Sequence, residues 1–370
     1  MASEPHNTSE ALLQVTNVRL DFHTYAGEVK ALDGVTFTVR EGEVLGLVGE
    51  SGCGKSVTAS AIVGLLPENA HVSEGEILLE GQNLRNISHK EMRDIRAHKV
   101  AMVFQDPTTF LNPVLTIGKQ LEEVVLLTTP ERLAEIAAAT KASKDLKGEE
   151  SAKTTEEKTQ ASSKLSRFER KKVARALSVD VLNQVRLPDP DRILRQYPHE
   201  LSGGMRQRCM IAMALARNPI LFIADEITTA LDVTVQAQIL ELLRELKHKV
   251  LGSTLLITHD LGVVAELCDR VAVMYAGNIV EIAEVNELFA NPLHPYTQGL
   301  MRAVPIIGRP LAGLEPIQGS VPDLIHPPAG CRFHPRCPFA FEKCKIEKPP
   351  LIQRGEGHSV ACHLYGEKKP

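Results

Sequence analysis

Gly49-Glu50-Ser51-Gly52-Cys53-Gly54-Lys55-Ser56 spells a phosphate-binding P-loop, and the other informative motifs of this chain can be placed relative to it. The residue types are those the chemistry requires. Glycines let the backbone curl so that its N–H groups face phosphate oxygens, Lys55 can reach the β- and γ-phosphates, and Ser56 offers a hydroxyl to Mg²⁺. The flanks agree with this reading. Glu43 to Val48 predicts a short buried strand entering the loop, and Lys55 to Leu66 predicts a helix leaving it, whose N-terminal dipole favours an anion. Residues Gly49 through Ser56, with Val57 behind them, are therefore candidate nucleotide contacts in an α/β fold.

A chain of 370 residues has room for two or three domains of the usual ~100–200 residues, and its hydrophobic share of 43% is ordinary for a globular protein. The net charge of −4 and isoelectric point near 6.4 give no global basic field, so nucleic acid is not an expected partner. Met1-Ala2-Ser3-Glu4-Pro5-His6-Asn7 has neither a basic nor an apolar leader segment, and no apolar run approaches the ~18 residues of a membrane span. The expectation is a cytoplasmic protein, soluble or peripheral. Thiols that work beside cytosolic nucleotide should be reduced, so clustered cysteines among the seven suggest metal.

Ahead of the P-loop, Leu13 to Phe22 and Ala31 to Val39 alternate apolar and polar positions, which predicts antiparallel strands. Tyr25, in the turn between them, is a candidate for stacking on an adenine face with Phe22 behind it; the plainer alternative is a tyrosine packed on its neighbours at a hairpin tip. Val72 to Gly81 reads as another strand. Val100 to Phe104 is a compact apolar run that stops at Gln105-Asp106-Pro107, which places Gln105 at a strand end within reach of Mg²⁺ or water. From Thr128 to Arg167 the composition shifts to Ala, Lys, Glu, Ser and Thr, and Lys144 to Lys164 lacks an apolar face, as in a solvated helix or a disordered loop. Order resumes with an amphipathic helix over Phe168 to Val185.

Ser202, Gly203 and Gly204 followed by a helical run over Met205 to Arg217 are built like a second anion-binding helix start. Ile220 to Ala224 is a hydrophobic strand that delivers Asp225 and Glu226 at its end. Neighbouring strand side chains point opposite ways, so Asp225 is assigned to the Mg²⁺ shell and Glu226 to the attacking water. Gln236 to Lys247 predicts an amphipathic helix, Ser253 to Thr258 a strand ending at His259, and Val271 to Glu281 a hairpin around Ala276-Gly277-Asn278.

Over Leu12 to about Ala290 this succession resembles the ATP-binding cassette (ABC) proteins. Leu201 to Gln207 matches their signature motif, and the order P-loop, Gln105, signature, Ile220 to Glu226 matches as well. The resemblance implies a P-loop NTPase fold with a RecA-like core, an antiparallel β subdomain and an α-helical subdomain. It implies a tail at 1–11, a nucleotide-binding domain at 12–290 and a helical part at about 106–205 with an insertion at about 128–167. Glu226 is then the general base, Asp225 the Walker B aspartate, His259 the switch histidine at the γ-phosphate, and Ala230-Leu231-Asp232 the loop between two subunits. Ser202, Gly203, Gly204 and Gln207 would face the nucleotide of a second subunit. One departure is Ile227, where the family usually has proline.

Beyond Ala290 the texture turns Pro-rich and loop-like. Residues 291–370 carry Cys331, Cys337, Cys344 and Cys362, which could surround one metal centre in a region too short for its own core. Their spacing leaves Zn²⁺ and an iron–sulfur cluster both open, with free thiols or a labile disulfide as the plainer reading. Gly330 to Pro338, Cys344 and Ala361-Cys362-His363, together with His294 to Leu300, resemble the C-terminal region of oligopeptide and dipeptide importer ATPases, some of which hold a [4Fe-4S] cluster. That resemblance implies an ATPase powering peptide import from the cytoplasmic face of the membrane. Its partners would be a second, paralogous ATPase subunit, two transmembrane permeases and an extracytoplasmic peptide-binding protein. Nickel or oligosaccharide import, and a soluble ABC ATPase, are the alternatives.

Overall fold

The computed structural model describes residues 11–104, 107–127, 167–228, 232–249, 252–303 and 317–366. Strands, in chain order, are β1 (Ala11–Thr24), β2 (Gly27–Arg40), β3 (Val44–Val48), β4 (Ala70–Leu79), β5 (Gln82–Asn83), β6 (Val100–Val103), β7 (Leu221–Asp225), β8 (Ser253–Thr258), β9 (Arg270–Tyr275), β10 (Asn278–Glu284), β11 (Ile352–Gly355) and β12 (His358–Val360). The chain forms two compact units, one of residues 1–92, 223–226 and 253–370, the other of residues 93–222 and 227–252.

The first unit contains an antiparallel sheet of order β2-β1-β4-β5. Its apolar alternation changes phase along β1, with Leu13 and Val15 buried and then Val18 and Leu20. A bulge explains the slip: the pairing with β2 passes from Val15↔Phe37 to Val18↔Val35, and Asn17 takes a left-handed φ of 48°. The bulge keeps one apolar face turned inward on both sides of it.

The same unit holds a second sheet in which β3 runs parallel to β8, pairing Leu47 with Ile257, and parallel to β9, pairing Leu47 with Ala272. Every residue of β3, β8 and β9 is buried, as expected for parallel strands covered on both faces. The predicted hairpin is present as antiparallel β9 and β10, whose turn holds Ala276 and Gly277 at φ 44° and 80°. The helix after the P-loop spans Lys55–Ile62 and stops short of Leu66, because the chain turns left-handed at Gly64, φ 62°.

The loop-like expectation beyond Ala290 needs correction. Pro295–Arg302 is a helix, β12 pairs with β10 through Glu281↔Val360 and Ile282↔Ser359, and β11 pairs with β12. An open strand edge on β10 supplies the partner that these short segments lack by themselves.

The second unit contains β6 and the start of β7, where Leu221 N–H donates to Lys99 O over 3.1 Å. Around them stand helices Ile117–Leu126, Arg167–Gln184, Gly203–Leu215 and Val233–Lys249. Leu121, Val125, Ala174, Leu182, Ile211 and Leu242 form its apolar interior. The tail 1–10 and most of the 128–167 insertion lie outside the described residues.

Candidate functional site

Strand β3 releases the chain at Gly49, and the loop wraps back so closely that a Cβ at Gly49 would collide with the Met274 carbonyl. Gly54 stands at φ 108°, with Leu32 Cδ2, Met274 Cε and Ala31 O within 3.1 Å of where a side chain would begin. Only glycine meets both demands. Ser51, Gly52 and Ser56 are exposed, Val57 is half-buried, and Lys55 is buried with its Nζ donating to Gly49 O over 2.9 Å and to Glu50 O over 3.1 Å.

Three further side chains gather at this loop. Ser56 Oγ donates to Asp225 Oδ1 over 3.0 Å, and Lys55 Nζ lies 4.0 Å from Glu226 Oε1. His259 Nδ1 lies 3.4 Å from the same Glu226 oxygen. Burial pushes the Asp225 carboxyl up, and the neighbouring Glu226 charge adds to this while the Ser56 hydroxyl opposes it. Such a pair of carboxylates calls for a cation, and Ser56 with Asp225 fits the hard oxygen set that Mg²⁺ prefers.

The backbone holds Glu226 in place. Its N–H donates to Ile257 O over 2.9 Å, one residue past the end of β7, and its φ is 47°. A left-handed glutamate is a strained position of the kind that gathers at functional sites. His259 follows β8 directly, and Asp260 begins the next helix by accepting from Gly262 N–H over 2.8 Å, so the imidazole projects from the strand-to-helix turn, half exposed.

In the second unit Ser202 caps the helix Gly203–Leu215, its Oγ accepting from Met205 N–H over 3.3 Å, and Ser202 and Gly203 are exposed. Gly204 is buried, and Gln207, expected among the nucleotide contacts, is only 1% exposed and faces the interior of its unit. Asp232 caps the helix Val233–Lys249 by accepting from Val235 N–H over 3.0 Å. Gln105, Ala230 and Leu231 lie outside the described residues. Tyr25 is fully exposed in the β1–β2 turn, which corrects the alternative of a tyrosine packed on its neighbours.

Cys331, Cys337, Cys344 and Cys362 line one cavity together with His294, Phe333 and His363, and none is in a disulfide. Burial pushes the Cys331 thiol up to about 11 and that of Cys362 up to about 12. Among the described residues no group of three or more His, Cys, Asp or Glu is placed to hold a single metal ion.

Two residues without an assigned role in the sequence reading prove to touch the P-loop. Glu50 N–H donates to the Tyr296 hydroxyl over 2.9 Å, and Arg336 makes a two-pronged ion pair with the Glu50 carboxylate, 2.7 and 3.1 Å. Nothing local in the sequence marks a contact that joins positions 50 and 336.

Comparison with known proteins agrees with this geometry. The ABC transporter family matches residues 32–229, and the oligopeptide/dipeptide transporter C-terminal region matches residues 280–344. The dipeptide transport ATP-binding protein DppD of Bacillus subtilis (strain 168) is 46% identical over 360 residues, 97% of this chain and 96% of the relative. The oligopeptide transport ATP-binding protein AppD of the same organism is 44% identical over 358 residues, 96% and 98% of the two chains. Among solved structures, the dimeric ATP-binding cassette MJ0796 in a post-hydrolysis state with ADP and Pi is similar with a TM-score of 0.55 and 26% identity. That similarity covers 74% of this chain and 98% of the other.

Proposed function

This chain belongs to the ABC transporter family, among its ATP-binding proteins, and from that premise we infer that it hydrolyses ATP to drive the import of di- or oligopeptides. The observation that carries the chemistry is the convergence of Lys55, Ser56, Asp225, Glu226 and His259 within one unit. Phosphoryl transfer asks the protein mainly for positioning and charge neutralisation. Loop N–H groups and Lys55 hold the phosphates, Glu226 accepts a proton from the attacking water, and His259 senses the γ-phosphate from beside that carboxylate. Mg²⁺, held by Ser56 and Asp225, would neutralise phosphate charge.

The exposed cap of Ser202 and Gly203 supplies a second anion-binding helix start, which in this reading serves the nucleotide of a partner ATPase subunit. Tyr25, exposed at its hairpin tip, stacks on the adenine. Two permeases and an extracytoplasmic binding protein complete the machine and select the peptide. Among the described residues no helix is long and apolar enough to cross a membrane; in this reading the subunit attaches peripherally at the cytoplasmic face.

In this reading the four cysteines hold an iron–sulfur cluster, with Zn²⁺ as the alternative. Zinc–sulfur bonds of ~2.3 Å would draw the ligands around one point, whereas four thiolates around a cavity match the Cys₄ set of a [4Fe-4S] cluster. His294 supports this choice. Its Nδ1 accepts from Tyr296 N–H over 3.0 Å and burial holds the ring neutral, its pKa down at about 3, so the proton sits on Nε2. That Nε2 is buried without a hydrogen-bond partner among the described residues, and a sulfur acceptor in the cavity would satisfy it. A cluster there would cross-link the loops of residues 331–362.

Phosphate release by the purified transporter tests the ATPase reading: Glu226→Gln should keep ATP affinity and lose turnover by about 10²–10⁴-fold, the usual span for a general base. Full turnover in that variant would remove Glu226 as the base. Anaerobic purification should yield iron and acid-labile sulfide in equal amounts, both lost in Cys337→Ser; zinc alone would replace the cluster, and absence of all three would end the metal reading.

A further inference from the structure

The P-loop is held from outside by the cysteine-bearing region. Glu50 is gripped at three points: its N–H by the Tyr296 hydroxyl, its carboxylate by both prongs of Arg336, and its carbonyl by Lys55 Nζ. The Arg336 side chain is only 5% exposed, and its remaining donors go to Gln318 O at 2.9 Å, Ile317 O at 3.2 Å and the Tyr275 hydroxyl at 3.3 Å. Its position is thus over-determined by groups other than Glu50. The Tyr296 ring is equally fixed, against Tyr275 at 4.6 Å and Phe333 at 5.5 Å between centroids.

A second route runs through Arg332. Its Nη1 donates to Ala276 O over 2.6 Å and Lys30 O over 3.0 Å, and Gly277 N–H in the same turn donates to Cys53 O of the P-loop over 2.8 Å. Arg332 follows Cys331, and Arg336 precedes Cys337. One end of the short segment between these cysteines therefore touches the loop that takes the phosphates, and the other braces the turn that is bonded to it.

We propose that Arg336 and Tyr296 are positioning residues for ATP: they fix the Glu50 peptide, and through its carbonyl the Lys55 ammonium, so that the P-loop is pre-shaped by residues outside the ATPase motifs. The proposal rests on the reading of the P-loop as an ATP site. A bidentate guanidinium–carboxylate pair suits this task because it fixes direction as well as distance. Pre-shaping should raise affinity for nucleotide by removing an ordering cost at binding.

The test measures ATP affinity, KM and kcat on the full chain in its transporter complex, with nucleotide-free melting as a check on folding. Arg336→Gln and Glu50→Gln should each weaken ATP binding and raise KM by about tenfold, with kcat held within about threefold. Because the two act as one contact, the double variant should be no weaker than the worse single variant. Tyr296→Phe keeps the ring packing and should weaken ATP binding by about threefold through loss of one hydrogen bond. Arg336→Lys should restore part of the affinity. Affinity within about twofold of the unaltered chain in the folded Glu50→Gln and Tyr296→Phe variants, or losses that multiply in the double variant, would overturn the proposal. An unaltered complex that binds no ATP would instead defeat the functional reading on which the proposal stands.

Discussion

Glu226 shows most plainly how a single residue is made into a reagent. It stands at φ 47°, its N–H tied to Ile257 O, its carboxylate between Lys55 and His259. A side chain in the left-handed region costs roughly 1–2 kcal/mol, which glycine would not incur. Glu226→Gly should therefore melt higher than Glu226→Ala by a difference of about 1 kcal/mol, though neither should turn over ATP. Equal melting of the two would mean that the backbone relaxes once the carboxylate is gone. The identities of Lys55, Ser56, Asp225, Glu226 and His259 were legible in the sequence because the first two open the helix after the P-loop and the other three stand at the ends of buried strands, in a fixed order. The strain on Glu226 was not, since φ is imposed by the β8 carbonyl that receives its N–H. Nor was the clamp on Glu50, whose partners lie 246 and 286 positions away.

Among the elements, strands with long alternating or continuous apolar runs were readable, and the short ones were not. β12 is three residues long and β11 is largely exposed; they become strands because β10 offers an edge. Ionic tethers add to this pairing. Lys348 Nζ lies 2.9 Å from Asp33 Oδ2 on β2, and Arg332 lies 3.7 Å from the same oxygen. Burial pushes the Asp33 carboxyl up, but the hydrogen bond and charge of Lys348, with Arg332 and Arg19, outweigh it and hold the carboxyl below its usual 3.8. A depressed carboxylate stabilises the fold fully above its unfolded value, and that contribution is lost as pH falls through the lower, folded one. Melting measured against pH should thus show a decline below pH 3.8 that Asp33→Asn reduces, while at neutral pH Asp33→Asn melts lower than the unaltered chain. An unchanged acid profile would show that the tether carries no stability. In the other unit, Ser202→Ala removes the cap on helix Gly203–Leu215 and should cost about 1 kcal/mol on chemical unfolding. The same variant should slow ATP turnover far more than that loss explains if Ser202 also meets the nucleotide of a second subunit.

At the scale of the whole molecule, the chain joins two kinds of information. The ATPase motifs specify the energy source and occur in one order along 49–259, while the region beyond Ala290 carries the resemblance to peptide transporters and also grips the P-loop. In the proposed reading, cargo choice belongs to the permeases and the binding protein, and this subunit sets whether ATP is spent. The most direct measurement is uptake of a labelled peptide into proteoliposomes containing the complete transporter, followed alongside phosphate release. ATP-dependent peptide accumulation should be seen, and it should disappear together with phosphate release when Glu226 is changed to Gln. Steady phosphate release without peptide uptake in the unaltered complex, or uptake that survives in Glu226→Gln, would contradict it.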